Sequence, residues 1–137
     1  MNTALVAAAK AGVDVRIMTP GIPDKKIIFQ ATRAHYEALL RGGVKIYEYV
    51  PGFVHGKSFA VDDRFGTVGS VNLDYRSLFL HFENGVLLTD NPAVQEIKAD
   101  FLNTLKQCRP CLLADCRSVR LPLRILRSLL RVFAPLL

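Results

Sequence analysis

The polar residues between His55 and Asn72 recur at fixed distances, and they constrain the fold more than any other part of the sequence. They read His-x-Lys-x4-Asp-x6-Gly-Ser-x-Asn, and this pattern occurs once in the chain. Apolar residues alternate with small or polar ones over 54–61, which predicts a strand. Since side chains two positions apart on a strand share a face, we expect His55 and Lys57 to point the same way. An imidazole and an ammonium directed at one point are suited to a phosphate group.

Each residue of the pattern supplies a part that phosphoryl transfer needs. A neutral imidazole nitrogen can attack phosphorus and form a covalent intermediate, which makes His55 the candidate nucleophile. Lys57 would place positive charge on the non-bridging oxygens in the transition state. Ser70 and Asn72 could donate hydrogen bonds to the same oxygens. Asp62 is expected to fix the turn into the next strand, with direct participation in the chemistry as the alternative.

This pattern resembles the signature of the phospholipase D superfamily, whose members break and remake phosphodiester bonds through a histidine nucleophile. The flanking sequence narrows the resemblance, above all Asn72-Leu73-Asp74-Tyr75-Arg76-Ser77. Further similar segments are 12–17, 20–26, 43–55 and 82–84. Over residues 3 to 107 the chain is similar to the second half of a bacterial cardiolipin synthase.

The resemblance implies a reaction between two phosphatidylglycerol molecules that yields cardiolipin and glycerol. Such enzymes build each active site from two copies of the pattern, and the second histidine acts as general acid and then as base. Glu83 matches the position of a carboxylate that orients the nucleophilic histidine, as in hydrolase triads. The alternative for Glu83 is an ion pair at the surface or at the edge of the core. The chemistry implies neither a metal nor a cofactor.

One copy of the pattern supplies half of such a site. The other histidines, His35 and His81, are not followed by a lysine two positions later. We therefore expect a second half, either from a copy of this chain related by a two-fold axis or from a missing N-terminal half. The remaining alternative is an inactive remnant that binds lipid.

Strand and helix patterns alternate along the chain, which predicts an α/β fold with a layered sheet flanked by helices. The predicted helices are 3–11, 24–41 with Asp24 as N-cap, and one capped by Asn91 with Pro92 behind it. The predicted strands are 13–18, 44–49, 54–61, 65–70 and 84–88. We expect a catalytic half-domain over 1–107 and a connector with a tail over 108–137. The first helix has no strand before it, which suggests a domain truncated at its N-terminus.

The C-terminal tail is basic and apolar. Its arginines recur at spacings of four, three and four, and apolar residues cover the rest of the predicted helix. These arginines are Arg120, Arg124, Arg127 and Arg131. Such a helix is suited to lie on an anionic membrane surface, and the cost of inserting its charges argues against a helix that spans the bilayer. Packing on its own domain or on a second copy is the alternative. With the resemblance, this predicts peripheral attachment to the bacterial inner membrane.

Composition limits the remaining functions. The net charge of +6 favours anionic partners, which include lipid head groups and nucleic acid. A dimeric phosphodiesterase acting on nucleic acid is therefore the alternative enzyme, although the apolar tail and the segment 72–77 argue against it. Cys108, Cys111 and Cys116 offer at most three thiolates with no histidine after them, so a structural zinc lacks its fourth ligand.

Overall fold

A computed structural model describes residues 1–133, and its chain divides into two compact units. The motif unit is Val54–Gln107, and the flanking unit combines Met1–Phe53 with the chain from Cys108 onward. In chain order the elements are α1 (Asn2–Lys10), β1 (Arg16–Pro20), α2 (Lys26–Ala34), α3 (Tyr36–Arg41), β2 (Lys45–Tyr49), β3 (Ser58–Val61), β4 (Phe65–Gly69), α4 (Tyr75–Phe79), β5 (Gly85–Thr89), α5 (Pro92–Leu105), β6 (Cys108–Pro110), α6 (Leu113–Arg117) and α7 (Leu121–Phe133).

The flanking unit is built on a three-stranded sheet in the order β1-β2-β6. β1 and β2 are parallel, with Ile17 opposite Ile46, and α2 and α3 form the connection that a parallel pair requires. β6 is antiparallel to β2. Buried Ile46 packs in a cluster with Tyr36 and Leu39 of α3, and α1 covers part of the same cluster. Residues 108–110, at the start of the predicted connector, therefore add a third strand to this sheet.

A buried carboxylate ties three elements of the flanking unit together. Glu48 on β2 is 1% exposed and accepts hydrogen bonds of 2.8 Å from both Nε and Nη2 of Arg33 on α2. Arg109 on β6 donates from Nη2, also at 2.8 Å. Burial alone would raise the pKa of Glu48, but the two arginines outweigh it, so this pKa lies below its ordinary value of 4.5. Glu48 is therefore ionised and holds α2 and β6 against the central strand.

The substitution Arg33→Met leaves Glu48 buried with one partner, so we expect the free energy of unfolding at pH 7 to fall by about 3 kcal/mol. Because the folded pKa of Glu48 is lowered, its contribution is complete above pH 4.5 and is lost as pH falls through the folded value. The difference from the parent chain should narrow below pH 4.5. Urea denaturation of both chains at pH 7 and pH 3 measures this difference in the free energy of unfolding.

The control variant Arg41→Met removes an exposed i,i+4 pair with Glu37 and should lower the free energy of unfolding by less than about 0.5 kcal/mol. Equal losses in the two variants would contradict this account.

The motif unit is an antiparallel sheet in the order β3-β4-β5 with α5 packed over one face. Gly66 of β4 makes this packing close, because a Cβ there would lie 3.3 Å from Val94 and 3.5 Å from Ile97 of α5. The predicted start of α5 is confirmed. The Asn91 side chain accepts a 2.9 Å hydrogen bond from the Ala93 N–H, and Pro92 is the first helical residue.

Two element predictions need correction. The strand predicted over 54–61 begins only at Ser58, because its partner β4 ends at Gly69 and leaves the residues before 58 with no strand to pair with. The helix predicted over 24–41 is two helices that meet at His35, and its N-cap is Lys25 where the sequence suggested Asp24. Nδ1 of His35 accepts a 3.0 Å hydrogen bond from Nδ2 of Asn2, in keeping with a structural histidine.

Candidate active site

Three residues of the pattern, His55, Lys57 and Ser70, lie at one end of the motif sheet, and strand pairing brings their segments together. Beyond the last pair of β3 and β4, the Gly69 N–H donates to the Lys57 carbonyl at 3.1 Å. On the other side, the Ser70 N–H donates to the Asn84 carbonyl at 2.9 Å. The backbone segments around residues 57, 70 and 84, which are distant in sequence, therefore lie side by side at this end of the sheet.

His55 and Lys57 are in direct contact, as the i, i+2 spacing predicts. The Lys57 Nζ lies 2.8 Å from Nδ1 and 3.0 Å from Nε2 of His55, and it donates to the His55 carbonyl at 2.8 Å. A neutral imidazole has one unprotonated nitrogen, so one ring contact at a time can be a hydrogen bond. The neutral form of the ring is the one whose unprotonated nitrogen can attack phosphorus.

Ser70 and Glu83 are hydrogen-bonded to each other at the same end of the sheet. The Ser70 hydroxyl donates to Oε2 of Glu83 and accepts a 3.0 Å hydrogen bond from the Asn84 N–H. Hydrogen bonds from Ser70 and then Ser77 lower the pKa of Glu83, and the charges of His81 and Lys57 add to the effect. Glu83 is therefore a carboxylate held by two hydroxyls within the field of Lys57. Its predicted role in orienting His55 stays a prediction.

Ser77 is a site residue that the sequence reasoning missed. It is buried in the first turn of α4, and its N–H donates at 2.7 Å to the side chain of Asp74, the N-cap of that helix. The cap fixes Ser77 where its hydroxyl can reach Glu83. The available signal was Asp74, since an aspartate directly before a helical stretch is a candidate N-cap.

Asn72 and Asp62 are placed differently. Asn72 is exposed in the loop that leads from Ser70 into α4. Asp62 lies in the β3–β4 turn at the opposite end of the sheet, with φ of 50°, next to Asp63 with φ of 59°. All of β3 separates it from Lys57, roughly 16 Å along an extended chain. The structure thus does not bring Asp62 to the other site residues, and its position suits the expected role in the turn.

The tail arginines lie in the flanking unit, and three of them belong to α7. α7 packs against α2, and Arg127 donates from Nε to Oε1 of Gln30 at 2.9 Å. Arg124 and Arg131 line the same cleft as Arg127, while Arg120 precedes the helix. One side of α7 thus packs on its own unit, and contact of the tail with a membrane stays a prediction. Within residues 1–133, no helix is long and apolar enough to cross a membrane.

The cysteine segment provides neither a thiolate pair nor a ligand cluster. Burial raises the pKa of the Cys111 thiol to about 11, so it is protonated at neutral pH. Across residues 1–133, no three His, Cys, Asp or Glu side chains are grouped to hold a metal ion.

Comparisons with known proteins place these features in a family. A family model described as cardiolipin synthase, phospholipase D-like domain, matches residues 1–105. A cardiolipin synthase of Geobacillus sp. (strain WCH70) is 42% identical over 135 residues, which is 98% of this chain and 27% of that protein. An uncharacterized protein of Streptococcus mutans is 45% identical over 137 residues, 100% of this chain and 30% of that protein. The chain thus spans less than a third of the length of these relatives.

The fold has a counterpart among solved structures. The crystal structure of a phospholipase D family member, Nuc from Salmonella typhimurium, matches with a TM-score of 0.71 over 80% of this chain and 72% of that chain, at 24% identity. The chain has the α/β fold of the phospholipase D class, as the sequence predicted. Within that class it belongs to the family of phospholipase D-like domains of cardiolipin synthases.

The substitution Ser70→Ala should raise the pKa of Glu83 toward its ordinary value of 4.5, because the Ser70 hydroxyl is the largest cause of the lowering. Ser77→Ala should raise it by a smaller amount. An NMR titration of the Glu83 side-chain carboxyl carbon measures both shifts. Ser58→Ala, on β3 of the same sheet, is the matched control and should leave the titration unchanged. An unaltered Glu83 pKa in Ser70→Ala would show that the hydroxyl does not hold this carboxylate.

Proposed function

We propose that the motif unit supplies one half of the active site of a phospholipase D-type phosphatidyltransferase. The reaction joins two phosphatidylglycerol molecules and releases glycerol and cardiolipin. Membership of the cardiolipin synthase domain family supports this substrate class. The observation that carries the proposal is the contact of the Lys57 ammonium with both ring nitrogens of His55, at 2.8 and 3.0 Å, at the sheet end that also holds Ser70 and Glu83.

In the first step the unprotonated nitrogen of His55 attacks the phosphorus of one phosphatidylglycerol. A P–N bond forms as the P–O bond to the glycerol head group breaks, and the histidine of the second half gives that oxygen its proton. Lys57 stabilises the charge on the non-bridging oxygens, with the Asn72 amide as a further donor. The Ser70 hydroxyl becomes a third donor once its proton turns from Glu83 to the phosphate. An ionised Glu83 beside this group stabilises positive charge on His55 once the P–N bond has formed.

In the second step the head-group hydroxyl of another phosphatidylglycerol attacks the phosphohistidine. The second histidine, now neutral, takes the hydroxyl proton, and the P–N bond breaks as the new P–O bond forms. His55 returns to its starting state, and both phosphodiesters of cardiolipin are complete. The cycle conserves the number of phosphodiester bonds, so it needs no energy source besides the substrate.

The second histidine comes from another His-x-Lys-x4-Asp half. This half belongs either to a second copy of the chain or to a preceding part of a longer protein. The substrate resides in a bilayer, which supports peripheral association with the inner membrane of a bacterium.

The test supplies phosphatidylglycerol vesicles and a chelator to the purified chain, alone and with a separately expressed first half, and measures glycerol and cardiolipin. We expect turnover when two halves are present, and its loss in His55→Ala. Lys57→Ala should lower the rate by about a hundredfold, as for removal of one transition-state donor. Lys106→Ala, an exposed lysine at the end of α5, should leave the rate unchanged.

Turnover that survives His55→Ala, or that the chelator abolishes, would refute the histidine mechanism. Hydrolysis of DNA without turnover of phosphatidylglycerol would instead favour the phosphodiesterase alternative, for which the net charge of +6 is the supporting feature. An absence of turnover with both halves present would favour the inactive remnant.

A further inference from the structure

A cleft of about 290 Å³ in the flanking unit collects an unusual number of arginines. It lies between α7 on one side and α2 and α3 on the other. We call it the arginine cleft. Its lining residues are Arg33, Ala34, Glu37, Ala38, Arg41, Cys116, Arg124, Arg127, Ser128 and Arg131. Five cations thus surround one carboxylate, that of Glu37.

The side of the cleft that α2 and α3 form is balanced in charge, whereas the side that α7 forms is not. Arg33 is bound to Glu48, and Arg41 is bound to Glu37 at 2.7 Å. No carboxylate within residues 1–133 forms an ion pair with any arginine of α7. The spacing of Arg124, Arg127 and Arg131 places their guanidinium groups on one helix face, directed into the cleft. The cleft therefore carries an excess of positive charge along α7.

The cations crowded in the cleft repel one another. Burial and then the nearby charge of Arg33 lower the pKa of Arg127. Burial and the charge of Arg131 likewise lower the pKa of His35. A bound anion would offset the repulsion, and guanidinium groups match the geometry of phosphate oxygens in a bidentate way. Arg124 and Arg131 are exposed, so an anion can reach them from solvent.

The other side of α7 indicates where that anion comes from. Its outward residues are apolar and exposed, with Val132 at 72%. They are Leu121, Ile125, Leu126, Leu129, Val132 and Phe133. A helix that directs arginines into a cleft and leaves a row of apolar side chains uncovered offers contacts both for a phosphate and for acyl chains. A free phosphate ion would use only the first of these.

We propose that the arginine cleft binds the phosphate of an anionic lipid head group while the apolar side of α7 contacts the acyl region. The site involves none of the residues around His55. It would hold the flanking unit on an anionic bilayer through a defined head-group site, which differs from diffuse attraction between a basic surface and the membrane.

Sedimentation of the full chain with vesicles of phosphatidylcholine, with and without phosphatidylglycerol, tests the proposal. The double variant Arg124→Gln/Arg131→Gln should weaken binding to the anionic vesicles by about thirtyfold. The charge-matched variant Lys10→Gln/Lys106→Gln removes two exposed cations outside the cleft and should weaken binding much less. Arg127 is left intact because it bonds to Gln30, and circular dichroism checks that both variants fold.

Three further arms separate the explanations. Equal losses in the two double variants would mean diffuse electrostatics and would overturn the proposal. Competition by millimolar inorganic phosphate, together with full retention of binding in Ile125→Ser/Val132→Ser, would overturn the lipid as occupant. His55→Ala should bind vesicles as the parent chain does, so failure of the proposed catalysis and failure of this site are distinguishable.

Discussion

The pairing register of β4 with β3 and β5 is the constraint on which the candidate active site depends. Because Ser58 pairs with Val68 and Gly69 pairs with Gly85, the residues just beyond these pairs must meet. They include Lys57, which follows the candidate nucleophile His55 by two positions, and Ser70, whose hydroxyl donates to Glu83. A shift of one residue in the register of β4 would turn its side chains to the other face of the sheet and separate Ser70 from Lys57 and Glu83.

Two carboxylates show how the fold uses the same charge in different ways. Glu48 is buried, and two arginines keep it ionised, so its hydrogen bonds hold α2 and β6 against the central strand of the flanking sheet. Glu83 is exposed, and hydroxyls of Ser70 and Ser77 hold it. Hydroxyl donors fix a carboxylate without neutralising it, so Glu83 keeps its charge for a neighbouring cation. The first arrangement builds structure, and the second suits chemistry.

The sequence predicted the local features of the site and missed those that depend on long-range pairing. Spacing alone placed His55 beside Lys57, and Asn91 with Pro92 located the start of α5. The bond between Ser70 and Glu83 spans thirteen residues and follows from the β4–β5 register, which no local pattern specifies. In the tail, periodicity identified the arginine face of α7 but could not tell whether this face would point to solvent or into its own unit.

The central claim is that His55 forms the covalent bond to phosphorus. The most direct measurement is rapid quenching of a reaction between phosphatidylglycerol and the chain with its second half, under conditions that preserve P–N bonds, followed by peptide mass spectrometry. The account predicts a phosphatidyl adduct on the peptide that contains His55, absent from His55→Ala. Turnover with no adduct on this peptide, or with the adduct on another residue of the chain, would contradict it.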